Sequence, residues 1–194
     1  MLKKFIITVF IIFLLVATVL GNSKAEYSKK KYVKGEKMKP EIIEQEKMLL
    51  AGVINCGKDV TEIDIHELWN NYGKSEKNIS HIVPGIWYEL HIGTELGNGI
   101  YCVMAGVEVK EVDDLPLEVS LKAVPAGKFA HFSHCMKDGS YGAAFKEIEN
   151  WLHKNSVSCK DFSLQVYDKN FDPNDENSIL HVYIPLLDVK KQNN

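Results

Sequence analysis

At residues 86–92 the chain reads IWYELHI, and at residues 101–109 it reads YCVMAGVEV. Both segments have two alternating rows of side chains, which is typical of β-strands because successive strand residues point to opposite faces. Gly97-Asn98-Gly99, between them, is the kind of sequence that closes a hairpin. The two segments therefore predict a pair of antiparallel strands.

A helix and a further strand are predicted in front of this hairpin. Thr61 and Asp64 have the spacing of a shortened capping box, and Gly73 is expected to end the helix. Residues 42–56 predict a strand that is bent or bulged around Ala51-Gly52. The apolar face of the helix follows from residues spaced i, i+3, i+4 and i+7, namely Ile65, Leu68, Trp69 and Tyr72.

The same order of elements then recurs. Residues 117–134 predict a long strand broken at Val124-Pro125-Ala126-Gly127, and Ser140 can cap a second helix. Strands are predicted at residues 162–167 and 179–187. The chain is therefore expected to be an α+β protein with a pseudo-twofold duplicated strand-helix-strand-strand unit. We expect an antiparallel sheet with the helices on one face and a ligand groove on the other.

Composition limits the classes of function. The 194 residues are 45% hydrophobic and 25% charged, as in a folded protein, and the formal net charge is −3. All 23 basic residues are Lys, so the chain lacks the bidentate side chain that reads phosphate and guanine. We therefore expect no nucleic-acid partner. No phosphate-binding glycine motif is present, and no cofactor is predicted.

The N-terminus predicts export. Lys3 and Lys4 precede an apolar run at residues 5–20, and Ser23-Lys24-Ala25 offers small residues for a signal peptidase. Residues 1–25 are expected to be a signal peptide or an N-terminal anchor, with a possible membrane tether through residues 5–20. The protein is then secreted or membrane-anchored and extracytoplasmic. Three further segments are predicted: a flexible Lys-rich linker at 26–39, one folded domain at 40–188 and a polar tail at 189–194.

Four cysteines and a histidine-rich strand are candidates for covalent or metal sites. An exported chain can form disulfides, but the pairing of Cys56, Cys102, Cys135 and Cys159 stays open, with buried free thiols as the alternative. On a strand His131 and Cys135 share a face whereas His134 points away, so three ligands would not converge. We predict no metal site.

The alternation within the strands suggests which side chains face a ligand. We expect the rows containing Tyr88 and Leu164 to pack under the helices, which leaves the opposite rows free. Aromatic rings beside acids and amides are typical of a pocket for a flat, cationic small molecule. A dimer contact or a simple cover for the sheet is the alternative. The predicted ligand-binding residues are Trp87, Met104, Glu108, Gln165, Tyr167 and Tyr183.

Several motifs resemble one known family. Residues 124–132, VPAGKFAHF, are similar to the "iPaG-x-yavf" strand of the AraC-type effector-binding domain, also called the GyrI-like domain. Five more motifs occur in the family's order across residues 40–187: LW at 68–69, MAGVEV at 104–109, WL at 151–152, LQVYD at 164–168 and YIPL at 183–186. The chain resembles a stand-alone, exported member without the DNA-binding domain that precedes this domain in regulators.

The resemblance implies that a groove shared by the two repeats binds a small organic ligand. The family usually has Glu where this chain has Gln165, and Gln retains hydrogen bonding but loses the charge and the acid–base chemistry. We therefore expect a binding protein and no catalytic residues. Two alternatives are a GyrI-like hydrolase of a small activated substrate and an inhibitor or partner of another exported protein. Glu89 and Glu108 are the two alternatives for an acid in place of the missing one.

Overall fold

The computed structural model describes residues 38–93 and 99–187. The predicted signal segment, most of the linker, the start of the hairpin turn and the C-terminal tail lie outside the described residues. Within the described parts, no helix has both the length and the apolar character needed to cross a bilayer.

The first repeat contains four strands and one helix. Short 3₁₀ turns at Val60–Glu62 and Glu76–Asn78 flank the helix. The elements are β1 (Glu41–Gln45), β2 (Met48–Gly57), α1 (Ile65–Ser75), β3 (Ile86–Ile92) and β4 (Tyr101–Val109).

The second repeat has the same order. One 3₁₀ turn, Met136–Asp138, precedes its helix. The elements are β5 (Ser120–Val124), β6 (Gly127–Cys135), α2 (Tyr141–Lys154), β7 (Phe162–Asp168) and β8 (Ile179–Pro185).

All eight strands form one antiparallel sheet in the order β1-β6-β8-β7-β3-β4-β2-β5. The order is symmetric about the β3–β7 pair, and the leading strand of each repeat joins the other repeat: β1 pairs with β6, and β5 pairs with β2. The α+β class and the duplicated unit are confirmed. The pseudo-twofold axis crosses the sheet between β3 and β7.

Several local predictions need correction. The chain breaks between β1 and β2 at Glu46-Lys47, whereas β2 pairs with β4 in unbroken register through Gly52. The side chain of Asp64 caps α1 by accepting from the Glu67 amide, and the helix continues through Gly73. The proposed cap at Ser140 is confirmed, since its side chain accepts from the Ala143 amide.

The sheet buries apolar residues on both faces. Leu68 and Tyr72 of α1 pack on the β2–β4 pair, and Ile148 of α2 packs on the β6–β8 pair. We call this side the helix face and the opposite side the far face. The far face is also closely buried, by residues that include Leu50, Met104, Phe129 and Leu164.

The prediction of which rows of β3 and β7 pack under the helices was wrong. Glu89 pairs with Ala105, a residue of the α1 core, and Gln165 pairs with Val182, a residue of the α2 core. Directly paired residues share a face, so the row of Glu89 and that of Gln165 lie on the helix face. Alternation gives two rows but cannot say which one faces the helices when both faces are buried.

Cys56 of β2 and Cys102 of β4 form a disulfide. They are direct cross-strand partners with Cα atoms 4.1 Å apart. Cys135 is a buried free thiol and Cys159 a partly buried one. All four cysteines lie in the described residues, and the pairing left open by the sequence is therefore a single Cys56–Cys102 disulfide.

Candidate functional site

A buried carboxylate lies next to the pseudo-twofold axis on the helix face. Glu89 in β3 is the direct partner of Gln165 in β7. Glu89 and Gln165 are each only 4% exposed, and His91, two positions further along β3, is 8% exposed. We call Glu89, His91 and Gln165 the Glu89 cluster. A charged group buried this deeply must be held by hydrogen bonds or ion pairs.

Three donors surround the Glu89 carboxylate. The Trp69 indole Nε1 of α1 donates to Oε2 at 2.8 Å, and His91 Nε2 lies 2.7 Å from Oε1. The Gln165 amide Nε2 donates to the same Oε1 at 3.1 Å. Helix α1 and strands β3 and β7 therefore converge on one carboxylate.

Three half-buried rings contact the Glu89 cluster, and a fourth, Tyr141, lies close enough for the charge of Glu89 to act on it. We call these four residues the aromatic rim: Trp69, Tyr101, Tyr141 and Tyr167. The hydroxyl of Tyr101 lies 2.7 Å from His91 Nδ1, and that of Tyr167 donates to Gln165 Oε1 at 3.1 Å. Trp69 and Tyr167 meet edge to face, with ring centroids 5.6 Å apart.

The charge of Glu89 acts on all three tyrosines of the aromatic rim. Burial is the first cause and the nearby carboxylate the second, and together they raise the pKa of Tyr101, Tyr141 and Tyr167 above 10.0. The phenols therefore remain neutral at physiological pH, as hydrogen-bonding groups with intact π faces. A carboxylate beneath neutral aromatic rings is the arrangement that attracts an organic cation.

Three of the six predicted ligand-binding residues lie on the helix face. Gln165 belongs to the Glu89 cluster and Tyr167 to the aromatic rim. Trp87 also lies on this face, but its indole Nε1 donates to Glu76 at 2.9 Å, at the C-terminal end of α1. These three residues therefore lie on the adjacent strands β3 and β7, on the same side of the sheet as the helices.

The other three predicted residues, Met104, Glu108 and Tyr183, lie on the far face. Met104 is part of the buried far-face packing, and burial raises the pKa of Glu108, whose carboxylate accepts from Tyr88 at 3.5 Å. The structure therefore separates the two predicted acids: Glu89 joins Gln165, and Glu108 does not.

Tyr183 belongs to a separate group of rings on the far face. It stacks on His131 with centroids 4.4 Å apart, and His131 Nε2 lies 3.0 Å from His181 Nδ1. Burial lowers the pKa of His181 below 6.5, and the charge of Asp168 partly opposes this. Across residues 38–93 and 99–187, no three His, Cys, Asp or Glu side chains are grouped so that they could hold a metal ion.

The predicted ligand-binding residues did not include His91 or the rim residues Trp69, Tyr101 and Tyr141. A usable signal was the alignment of the two repeats, which places WYELH at 87–91 over SLQVY at 163–167. That alignment puts Glu89 and Gln165 at equivalent positions, and the observed pairing of Glu89 with Gln165 agrees with it. The first repeat thus carries an acid, Glu89, at the position where the second repeat has Gln165.

Solved structures share this fold. SAV2435, solved bound to tetraphenylphosphonium, is 16% identical with a TM-score of 0.63, over 80% of this chain and 98% of SAV2435. The EcmrR C-terminal domain is 13% identical with a TM-score of 0.61, over 77% and 98% of the two chains. A bacterial transcription regulation protein from Staphylococcus aureus is 13% identical with a TM-score of 0.59, over 77% and 98%.

A comparison with curated proteins gives no match. The family model described as "Cass2: Integron-associated effector binding protein" matches residues 41–186, the span from β1 to just beyond β8. This match covers most of the chain and confirms the resemblance to effector-binding domains drawn from the motifs. The chain belongs to the Cass2 family of integron-associated effector binding proteins.

Proposed function

We propose that the protein binds small organic cations at the Glu89 cluster, between the two repeats. The observation that carries this proposal is the Glu89 carboxylate, buried on the helix face and surrounded by the aromatic rim. Burial strengthens the attraction between this carboxylate and a cation, because less water screens the charges. The aromatic rings add cation–π contacts and apolar contact area.

The relatives point to the same class of ligand. The family is described as effector binding, and SAV2435 was solved with tetraphenylphosphonium, a permanent cation with four phenyl rings. At 16% identity this likeness establishes the fold alone, so the ligand class here rests on Glu89 and the rings.

Calorimetric titration with tetraphenylphosphonium tests the proposal. We expect saturable binding, and about thirtyfold weaker binding in Glu89→Gln, since removing one partner of a desolvated charge pair costs about 2 kcal/mol or more. Triphenylphosphine oxide, which is neutral and also carries phenyl rings, should bind the wild-type protein more weakly and should bind both proteins alike.

Glu108→Gln is the matched control, since Glu108 is a partly buried carboxylate on the far face. It should bind tetraphenylphosphonium as the wild type does. If Glu108→Gln lost binding while Glu89→Gln kept it, the site would lie on the far face, and the proposal would be wrong. Absence of binding to a panel of cations would also contradict it.

We further propose that the protein acts outside the cytoplasm. The lysines and the apolar run at residues 3–20 support export, and the Cys56–Cys102 disulfide supports an oxidising compartment. Expression of the full chain in a bacterial host, followed by fractionation and N-terminal sequencing, tests this location. A cytoplasmic protein that begins at Met1 would contradict it.

A further inference from the structure

The proposed ligand carboxylate has a titratable side chain as its direct neighbour. His91 Nε2 lies 2.7 Å from Glu89 Oε1, and both residues are buried. Histidine is the side chain that changes charge between about pH 5 and pH 8. The formal charge of the Glu89–His91 pair is therefore −1 when the imidazole is neutral and 0 when it is protonated.

The partner of the second imidazole nitrogen accommodates both charge states. The Tyr101 hydroxyl lies 2.7 Å from His91 Nδ1, and a hydroxyl can either donate or accept. It donates to Nδ1 when His91 is neutral with its proton on Nε2, and it accepts from Nδ1–H when His91 is protonated. Neither state leaves Nδ1 without a hydrogen-bond partner.

The other groups around His91 and Glu89 are uncharged or have partners elsewhere, so none of them replaces His91 as the counter-charge of Glu89. Strand β7 contributes Gln165, whose amide Nε2 lies 2.7 Å from His91 Nε2 and is uncharged, and Tyr167, whose phenol remains neutral. Helix α2 contributes Tyr141, a neutral phenol near Glu89. Helix α1 contributes Trp69. The carboxylate of Glu76, directly after the last residue of α1, accepts hydrogen bonds from Tyr72 and Trp87.

A protonated imidazole and an organic cation would compete for the same carboxylate. We infer that His91 is a specificity-determining residue: neutral His91 leaves Glu89 negative and open to an organic cation, whereas protonated His91 acts as an internal counter-ion and excludes that cation. This inference rests on the proposed function. It predicts that only the fraction of protein with neutral His91 binds, so the apparent dissociation constant rises as that fraction falls.

Tetraphenylphosphonium is a suitable probe because it has no group that titrates. We expect its dissociation constant to rise at least about fivefold between about pH 8 and about pH 5.5, up to a limit of about tenfold per pH unit. In His91→Gln, which keeps an N–H donor but cannot become charged, the ratio of the two dissociation constants should fall to about 1. His153→Gln, at an exposed position on α2, should keep the wild-type ratio.

Proton release gives a second test on the unchanged protein. Titration at about pH 6 in two buffers of different ionisation enthalpy should show a proton released for each cation bound by a protein molecule with protonated His91. This measurement decides the question even if His91→Gln does not fold.

The failures of the two proposals are distinguishable. Absence of tetraphenylphosphonium binding at every pH contradicts the proposed function itself. Binding with the same dissociation constant at both pH values, a pH dependence that persists in His91→Gln, or binding without proton release would overturn the role of His91. Each of those three results would leave the Glu89 site standing.

Discussion

The two repeats carry different side chains at equivalent positions of their paired central strands. The pseudo-twofold axis exchanges Glu89 with Gln165 and His91 with Tyr167. The backbone is therefore symmetric where the charge is not: one repeat supplies the acid and its titratable neighbour, and the other supplies an amide and a phenol. A symmetric fold can build an asymmetric site because only one member of each pair needs to carry the charge.

The two repeats also differ in covalent cross-linking, since only the first has a disulfide among the described residues. Cys56 pairs with Cys102 in the first repeat, and the equivalent pair in the second repeat is Cys135 and Ile179. The two cysteines are 46 residues apart in sequence, and the loop that their disulfide closes contains α1 and β3. These two elements carry Trp69, Glu89 and His91. The repeat that carries the acid is also the cross-linked one.

The largest effect is expected from removing this disulfide. Cys56→Ala with Cys102→Ala should lower the free energy of unfolding by about 3 kcal/mol, because the unfolded chain regains the entropy of an open loop. Denaturant unfolding with and without a reductant measures it. Cys159→Ala, which removes a free thiol, is the control and should change stability little. If the two changes cost the same, the cross-link is not what stabilises the first repeat.

The next effect concerns the position of the acid. Gln165→Glu, added to Glu89→Gln, moves the carboxylate to the other side of the axis, where the Tyr167 hydroxyl already donates to residue 165. We expect this exchange to recover most of the roughly thirtyfold loss of tetraphenylphosphonium affinity caused by Glu89→Gln alone. The measurement is calorimetric titration of the three proteins at one pH.

Gln165→Ala in the Glu89→Gln background is the matched control and should recover no affinity, because it restores no charge. Recovery by both double variants would mean that space rather than charge had been limiting. No recovery by the exchange would mean that the site depends on the first repeat's own contacts, Trp69 and His91, and not on the equivalence of the two strands.

Much of the fold could be predicted from the sequence. Periodicity and turn residues predicted the bounds of β3 and β4, and both agree with the structure. Capping chemistry predicted the start of α2 at Ser140. These features depend on neighbours in sequence, so a single chain carries the information. The exchange of β1 and β5 between the repeats is a long-range pairing and could not be predicted in that way.

The candidate site was only half predictable, for a physical reason. A polar row that contains Glu89 and His91 is expected to face away from a helix, because burial of unpaired polar groups is costly. Here Trp69 on α1, Tyr101 on β4 and Gln165 on β7 satisfy those groups, and none of the three belongs to β3 itself. Of the predicted residues, Gln165 and Tyr167 lie on the face that carries Glu89, whereas Met104, Glu108 and Tyr183 lie on the other side of the sheet.

The smallest effect is a gain of stability in the second repeat. Cys135 and Ile179 are direct partners in the β6–β8 pair, as Cys56 and Cys102 are in the β2–β4 pair. Ile179→Cys should therefore form the equivalent disulfide under oxidising conditions and raise the free energy of unfolding by about 1 kcal/mol relative to the wild-type protein. The gain is smaller than the loss in the first repeat, because the change also removes the partly buried Ile179 side chain. Ile179→Cys combined with Cys135→Ala is the control, which cannot form the second disulfide and should show no gain over the wild-type protein. Mass spectrometry that finds the introduced thiol unpaired after oxidation would show that the two strand pairs, although equivalent in register, differ in geometry.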